Sequence, residues 1–137
     1  MANGTFNRGC SLFAQLSGDN SRLKIWDSSS SSALHEYSPT GEQAAELTCL
    51  SWSSPPPSLN PSKSPKKQAK AASLVAVGTA GGHVIIWDTS RGEVKSTLGG
   101  ASKGHSSRVL DVAFGTGGTT VYASTAASRL VCWTVAT

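Results

Sequence analysis

The sequence predicts an all-β fold in which one antiparallel unit is repeated. Three segments end alike: Arg22–Asp27 reads R-L-K-I-W-D, His83–Asp88 reads H-V-I-I-W-D and Arg129–Thr134 reads R-L-V-C-W-T. Each is a short apolar-rich strand closed by a Trp, and a turn-forming Gly, Asn, Ala or Ser precedes it. No segment shows the apolar period of a capped helix. Repetition of one supersecondary unit decides the architecture before any local pattern does.

Ten strands are predicted from short runs rich in Val, Ile, Leu, Thr and Trp that are bounded by Gly, Ser, Asp or Asn. The first set is Ser11–Leu16, Arg22–Asp27 and Ala33–Tyr37; the second is Glu46–Trp52, Leu74–Thr79, His83–Asp88 and Glu93–Leu98; the third is Arg108–Phe114, Thr120–Ser124 and Arg129–Val135. In the second set, Leu74–Val77 and Val84–Ile86 are continuous apolar runs, which predicts strands buried on both faces.

The turns between these strands support the same interpretation. Ala80-Gly81-Gly82 lies between two strands of the second set and supplies the positive φ that a tight hairpin requires. Gly92 stands at a natural bulge or turn position before the next strand. Gly115–Gly118 separates two strands of the third set. The stretch Ser28–Ser32 occupies the corresponding place after Trp26, where we expect a polar loop.

The spacing of the Trp residues predicts the type of repeat. The intervals are 61 residues from Trp26 to Trp87 and 46 residues from Trp87 to Trp133. A four-stranded propeller blade repeats every ~40–45 residues, so the second interval fits and the first is too long. The excess lies in residues 53–73, which contain five of the six prolines and four lysines. This composition predicts a disordered insertion between two strands of one blade.

Composition limits the function classes. The chain has 137 residues and a net charge of +4, so its surface as a whole is not a nucleic-acid footprint. The chain has an odd number of cysteines, and none of them form a C-x-x-C pair; they are Cys10, Cys49 and Cys132. We therefore expect reduced thiols in an intracellular protein and no zinc site. The N-terminus has no apolar h-region, and no apolar run approaches the ~20 residues of a membrane span. We therefore expect no secretory signal and no membrane partner.

The residues resemble the WD-repeat β-propeller family. Gly104-His105 followed by R-V-L-D-V-A-F is similar to the G-H that opens a blade in that family, and W-D closes it. The resemblance implies about two to three four-stranded antiparallel blades. It also implies structural roles in the repeats for Trp26, Asp27, Trp87, Asp88, Gly104, His105 and Trp133. On this interpretation the second set is a complete blade, the N-terminal set lacks its first strand, and the C-terminal set lacks its last.

One departure from the family pattern concerns a buried polar tetrad. WD-repeat blades often carry an Asp six residues before the Trp, hydrogen-bonded toward the blade-opening His. The corresponding positions hold Asn20, Gly81 and Ala127, and Asp19 is one residue away. We therefore expect the tetrad to be incomplete and local stability to come from apolar packing.

The number of repeats predicts an open ring. We assign residues 1–10 to an N-terminal tail and residues 11–137 to a partial propeller. Propellers have typically 4–8 blades, and closure protects the edges of their sheets. We therefore expect the chain to be a fragment of a longer gene product or to require a partner, because it exposes strand edges. A monomer that melts cooperatively, observed by size-exclusion chromatography and thermal denaturation, would contradict this expectation.

Within the family, the chain resembles a nucleolar branch, the t-UTP subunits of the small-subunit processome. The resemblance rests on H-E-Y-x-P, on the position of the basic insertion and on G-T-A-G-G. It implies a protein-interaction scaffold in the nucleus and nucleolus that acts in pre-rRNA transcription and small-subunit rRNA processing. The implied partners are other subunits of the complex, with U3 or pre-ribosomal RNA contacted indirectly or through the insertion. The alternative is a WD-repeat adaptor in another intracellular complex, such as one for ubiquitin ligation or trafficking.

The basic insertion carries the most specific functional residues, which are Lys63, Ser64, Pro65, Lys66, Lys67 and Lys70. This pattern is typical of a nuclear-import patch, a phosphate-backbone contact or a proline-directed phosphosite, and it is equally typical of a solvated linker. Catalysis is not expected, because His105, the strongest candidate for a general base, has no second ligand or carboxylate at a suitable spacing. We likewise expect no cofactor, no bound metal and no small-molecule substrate.

Overall fold

The structure, a computed structural model, describes residues 4–6, 12–17, 21–39, 46–53, 74–89, 91–99, 107–115 and 120–135. These residues form eleven strands and are all-β. The strands are β1 (Gly4–Phe6), β2 (Leu12–Leu16), β3 (Leu23–Asp27), β4 (Ser32–Tyr37), β5 (Leu47–Trp52), β6 (Leu74–Thr79), β7 (His83–Asp88), β8 (Glu93–Gly99), β9 (Val109–Phe114), β10 (Thr120–Thr125) and β11 (Leu130–Thr134).

The strands form three antiparallel sheets that follow chain order. Blade 1 consists of β1–β4, blade 2 of β5–β8, and blade 3 of β9–β11. Each strand pairs with its neighbour in the chain, and the described sheets do not close a ring. The predicted fold class, a partial β-propeller of antiparallel blades, is therefore confirmed.

All ten predicted strands are present, and one further strand was missed. Gly4–Phe6 pairs with β2 in the register Gly4↔Gln15 and Phe6↔Phe13, within the segment assigned to the tail. The expectation that the N-terminal set lacks its first strand was therefore wrong. Three residues that include a glycine show too little alternation to be recognised, and this strand is defined by its pairing with β2.

The core lies between the blades. One cluster joins blade 1 to blade 2 and contains Ala14, Leu16, Leu23, Ile25, Leu47, Val75, Val77 and Trp87. A second cluster joins blade 2 to blade 3 and contains Ala76, Val84, Ile86, Val109, Val112, Val121, Ala123 and Val135. Blade 2 thus contributes to both clusters, with Val75 and Val77 on one face and Ala76 on the other. Burial of both faces of this blade, predicted from its continuous apolar runs, is confirmed.

Strand register aligns the three blades residue by residue. Phe13 pairs with Trp26, Val75 with Trp87, and Val121 with Trp133. The first strand of each blade ends at the residue that pairs with this same position of the second strand. The pairs are Phe6 with Phe13, Trp52 with Val75, and Phe114 with Val121. The repeat therefore includes an aromatic position at the end of the first strand, a feature that the spacing of the Trp residues does not reveal.

A hydroxyl recurs where the second strand of each blade turns into the third. Ser17 Oγ accepts hydrogen bonds from the backbone N–H of Ser21 and Arg22, at 3.2 and 3.1 Å. At the equivalent place in blade 2, Thr79 Oγ1 accepts from the N–H of His83 at 3.0 Å. Thr125 holds this position in blade 3. In two of the turns the hydroxyl thus accepts from backbone N–H groups at the start of the third strand, and in blade 2 this hydrogen bond satisfies a buried donor.

The turn between the second and third strands contains a residue with positive φ in both blade 2 and blade 3, but the residue type differs. Gly82 has φ 88° and Ser128, five residues before its own Trp, has φ 61°. Because only glycine adopts this conformation without steric cost, Ser128→Gly is expected to raise the free energy of unfolding by up to ~1 kcal/mol. Ser128→Ala keeps a Cβ at the same φ and is expected to leave the free energy of unfolding close to that of the parent. Urea denaturation of the two variants measures both changes, and equal stabilities would contradict the assignment.

The basic insertion leaves and rejoins blade 2 at one point. Ser53 is buried, its N–H donates to the Leu74 carbonyl at 2.9 Å, and its Oγ accepts from the Leu74 N–H at 3.2 Å. Ser53, the first residue of the predicted insertion, therefore continues the ladder that pairs Trp52 with Val75. Residues 54–73, with the six candidate residues between Lys63 and Lys70, lie outside the described residues.

Candidate interaction surfaces

Trp87 and Trp133 each lie on the side of their blade that faces the preceding blade. Trp87 belongs to the cluster between blades 1 and 2, and Trp133 packs against the cluster between blades 2 and 3. Trp26 lies on the opposite side of β3 from Ile25, which faces blade 2. We call the side of blade 1 that carries Phe13, Gln15, Lys24 and Trp26 the leading face. No other described blade packs on it.

The outer strand of blade 1 contacts the Trp of blade 2. The Tyr37 ring lies 4.9 Å from the Trp87 ring, centroid to centroid, and the His35 ring lies 6.1 Å away in an edge-on arrangement. His35 Nε2 is 2.9 Å from the Thr89 carbonyl oxygen and donates to it in the corresponding tautomer. The two residues of the H-E-Y motif that face blade 2 thus make the inter-blade contact. Burial by these neighbours raises the pKa of the Tyr37 hydroxyl.

Gly92 makes room for this contact. Its φ is +68°, and a Cβ built on it would lie 3.0 Å from His35 Cε1. A side chain at this position would therefore be strained by its own backbone and would also press on the imidazole. Ser31, at the equivalent position of blade 1, has φ 55°. The glycine predicted at this turn is thus required in blade 2 by a neighbouring blade as well as by the turn.

The indole N–H groups of the blades differ in their partners. Trp26 Nε1 donates to Gln15 Oε1 on the neighbouring strand β2, at 3.2 Å. Trp87 Nε1 is buried without a hydrogen-bond partner among the described residues. Strand register places Val77 of β6 at the position that Gln15 holds in β2, and a valine side chain has no hydrogen-bond acceptor for the indole N–H. Gly81, which stands where the family carries an Asp, offers no side-chain acceptor either.

The Asp that follows the Trp caps the next turn. Asp27 Oδ1 accepts from the Ser29 N–H at 2.8 Å and from the Ser29 hydroxyl at 2.6 Å. Asp88 Oδ1 accepts from the Arg91 N–H at 3.3 Å in the equivalent turn of blade 2. A carboxylate that caps a turn explains the W-D pairs in this chain. The hydrogen bonds from Ser29 lower the pKa of the Asp27 carboxyl below its ordinary value.

Acid is expected to weaken this cap. Since the folded-state pKa of Asp27 is lowered, its contribution to stability is complete above the ordinary value of 3.8 and is lost as the pH falls through the folded value. The variant Asp27→Asn is expected to lose this part of the pH dependence while remaining folded. Denaturation midpoints measured from neutral pH to below pH ~3 test this, because the difference between the two proteins should shrink toward the acid end.

A polar contact at the innermost strands joins blade 2 to blade 3. Thr48 Oγ1 donates to the Val109 carbonyl at 2.6 Å. Arg108 Nη1 lies 3.2 Å from Glu46 Oε2, and both side chains are partly exposed. Because exposed ion pairs contribute little, the Thr48 hydrogen bond and the apolar cluster carry most of this contact.

In blades 1 and 2 one side of the sheet is covered by the next blade, and the equivalent side of blade 3 is exposed among the described residues. We call the side carrying Tyr122, Ser124, Leu130 and Cys132 the trailing face. Leu130 is 74% exposed, whereas the equivalent Leu23 and Val84 are 1% and 0% exposed. Cys132 is an exposed thiol, while burial raises the pKa of the Cys49 thiol. The trailing face thus combines an apolar residue, an aromatic ring and a thiol at an uncovered surface.

The leading face of blade 1 has a different character. Gln15 and Lys24 occupy positions that hold Val77 and Ile85 in blade 2. Near the outer edge, the Arg22 guanidinium pairs with the Glu36 carboxylate at 2.8 Å. The two uncovered sides differ in their charged residues: the leading face carries Arg22, Lys24 and Glu36, whereas the trailing face carries the exposed Asp111, which pairs with Ser124.

The remaining predictions concern metal binding, membrane insertion and the residues that open blade 3. Among the described residues, no group of three His, Cys, Asp or Glu side chains could hold a metal ion. No helix in the described part of the chain is long and apolar enough to cross a membrane. Gly104 and His105 lie outside the described residues, so their predicted role in opening blade 3 stays a prediction.

Comparison with known proteins agrees with the repeat. No protein-family model matches the sequence. The chain is similar to WD repeat-containing protein 43 of Homo sapiens, with 26% identity over 141 residues that cover 96% of this chain. The chain spans 20% of the length of that relative. The resemblance to WD-repeat proteins, inferred from the Trp-ended strands, is confirmed.

Proposed function

We propose that this chain is a non-catalytic protein-interaction scaffold that acts in nucleolar ribosome biogenesis, in pre-rRNA transcription and small-subunit rRNA processing. The observation that carries the proposal is the similarity to a WD-repeat protein along 96% of the chain. A propeller blade displays loops and strand edges, and repeat proteins of this type bind partners on such surfaces. The trailing face and the leading face are the corresponding uncovered surfaces here.

The nucleolar assignment draws on the branch resemblance and on charge. The segment 54–73 carries four of the twelve basic residues and no acidic one, so the remaining eight basic and eight acidic residues balance. The whole net charge of +4 therefore resides in the insertion. A basic segment on a neutral domain suits either a nuclear-import receptor or an RNA backbone. Both uses fit a component of the small-subunit processome that contacts U3 or pre-ribosomal RNA.

Co-purification tests the proposal. The full chain, expressed with an affinity tag in human cells, is expected to recover U3 RNA together with processome proteins and to concentrate in nucleoli. Recovery of ubiquitin-ligase or vesicle-coat subunits without U3 RNA would replace the proposal with the adaptor alternative. If neither set is recovered above a tag-only control, the scaffold proposal itself fails.

Charge removal separates the roles of the insertion. The triple variant Lys63→Ala, Lys66→Ala, Lys67→Ala is expected to lose nuclear accumulation or U3 recovery. Its matched control removes three basic residues elsewhere, by Arg91→Ala, Lys95→Ala and Lys103→Ala, and is expected to retain both. If nuclear accumulation is lost but U3 recovery from nuclear-targeted protein persists, the insertion acts in import and the RNA contact is indirect. Unchanged behaviour of the first variant would identify the insertion as a solvated linker.

A further inference from the structure

An exposed Ser-Pro pair begins the segment that leads from blade 1 to blade 2. Ser38 directly follows the last residue of β4, is exposed, and is itself followed by Pro39. A proline disfavours the helical conformation for the residue before it, so this serine is held extended. Its exposure follows from its place beside the outermost strand of the blade. Proline-directed protein kinases act on serines of this kind, which are accessible, extended and followed by proline.

Strand register places a cation opposite this serine. Leu23 pairs with Tyr37. One step further along the ladder, Arg22 faces Ser38. The backbone of Arg22 is turned away, because its N–H donates to Ser17 Oγ at 3.1 Å and its carbonyl accepts from the Ser17 N–H at 2.9 Å. Arg22 and Ser38 thus form a cross-strand pair without backbone hydrogen bonds, the type in which the Cα atoms lie ~4.5 Å apart and the side chains are closest.

The charges on this side of β3 and β4 leave room for an anion. Lys24 lies opposite Glu36, and Arg22 stands beside them. Arg22 Nη1 is 2.8 Å from Glu36 Oε1, in an ion pair whose side chains are 54% and 47% exposed. Two cations therefore share one carboxylate. Because an exposed ion pair contributes little, the guanidinium can turn to a stronger acceptor at small cost.

We propose that Ser38 is a phosphorylation site for a proline-directed protein kinase and that Arg22 receives the phosphate. In the transfer, the serine hydroxyl oxygen attacks the γ-phosphorus of ATP, the bond from that phosphorus to the bridging oxygen breaks, ADP leaves, and the kinase takes the hydroxyl proton. The product carries a charge of about −1.5 to −2 at pH 7 and three acceptor oxygens. An arginine binds such a group through two parallel N–H···O hydrogen bonds, so the guanidinium exchanges the Glu36 carboxylate for the phosphate.

The phosphate changes the charge of blade 1 without entering its contact with blade 2. Tyr37, the neighbour of Ser38, stacks on Trp87 with 4.9 Å between the ring centroids. Successive residues of a strand point to opposite faces, so a phosphate on Ser38 lies away from these rings. The two cations and one carboxylate on this side sum to +1. The phosphate changes that sum to about −0.5 to −1, which alters what this surface attracts.

Phosphate incorporation into variants of the full chain tests the modification. The chain has two other Ser-Pro pairs, at Ser54 and Ser64, so the double variant Ser54→Ala, Ser64→Ala leaves Ser38 as the remaining Ser-Pro target. Incubation of this variant with a mitogen-activated protein kinase and ATP is expected to add one phosphate, which fragmentation mass spectrometry locates at Ser38. Adding Ser38→Ala to the double variant is expected to abolish the incorporation.

The single variant Ser38→Ala, which keeps the other two Ser-Pro pairs, is the matched control. Phosphate on this control and none on the double variant would overturn the site. If neither protein is phosphorylated while a standard peptide substrate reacts in the same mixture, the site is equally overturned. These outcomes do not depend on which partners the chain recovers from cells, because the modification concerns one blade of the isolated protein.

Phosphorus NMR tests whether Arg22 receives the phosphate. A neighbouring cation favours the doubly charged form and lowers the pKa of the second ionisation, which is ordinarily about 6. Adding Arg22→Gln to the phosphorylated double variant is expected to raise this titration midpoint by about 0.2–0.7 pH units. Lys95→Gln removes an exposed cation from β8 of blade 2, is the matched control, and is expected to leave the midpoint unchanged. Equal midpoints in all three proteins would show that Arg22 does not receive the phosphate.

Discussion

Replacing Trp87 with alanine is expected to lower the free energy of unfolding by about 3–5 kcal/mol. Trp87 is 6% exposed and packs in the cluster between blades 1 and 2. Its removal leaves a cavity between the blades and also deprives Tyr37 and His35 of their ring contact. Denaturant titration followed by circular dichroism measures the change without relying on the fluorescence of the deleted indole.

Two further variants show whether the cost comes from inter-blade packing. Trp26→Ala removes the equivalent Trp on the leading face, outside both clusters, and is expected to cost less than half as much. Trp87→Phe removes a buried N–H that lacks a partner among the described residues. The gain of about 1–3 kcal/mol from deleting such a donor offsets much of the lost area, so this variant is expected to stay close to the parent. An equal cost for Trp26→Ala and Trp87→Ala would contradict the inter-blade role.

Gly78→Ala is expected to destabilise the contact between blades 2 and 3 by about 1–3 kcal/mol. A Cβ built on Gly78 would lie 2.6 Å from Cys49 Sγ and 2.6 Å from Val109 Cγ1. Val109 is fully buried and belongs to the first strand of the next blade, so the blades must separate to relieve the overlap. Denaturant titration measures this change as a shift of the midpoint, provided that the dependence of the free energy of unfolding on denaturant concentration is the same in both proteins.

A double-mutant cycle assigns this cost to the neighbouring blade. Val109→Ala removes the Cγ1 atom that the added Cβ would meet. In that background, Gly78→Ala is expected to cost clearly less than in the parent, with a coupling of about 0.5–3 kcal/mol. Strictly additive effects would mean that the cost arises within blade 2, from the overlap with Cys49.

The fold could be predicted because its signals are local and repeated. The Trp endings, the glycines at turns and the continuous apolar runs of β6 and β7 each identify a strand without knowledge of its neighbours. Strand β1 could not be predicted in this way, since a three-residue strand is stabilised by its pairing with β2 and not by its own pattern. The spacing of 46 residues identified a blade, and the repeat predicted that the third set lacks its last strand, as the three-stranded sheet of blade 3 shows.

The interaction surfaces were less predictable than the strands. Sequence patterns treated Trp26, Trp87 and Trp133 as equivalent, yet only the latter two pack against the described clusters. His35 could not be assigned a role, because its partner at Thr89 lies in the next blade, far along the chain. Contacts between repeats depend on the geometry of stacking, which a one-dimensional pattern does not contain.

The paired hydrogen bonds between Ser53 and Leu74 have a consequence for how the chain can change. They fix the two strand ends beside each other, so the blade does not depend on the length of what connects them. The entropy of closing a loop grows only with the logarithm of its length, and doubling the length costs about 0.6 kcal/mol. Residues can therefore be gained, lost or exchanged at this point during evolution at little cost to folding. The same junction is where a fluorescent protein or an affinity tag can be inserted into the chain.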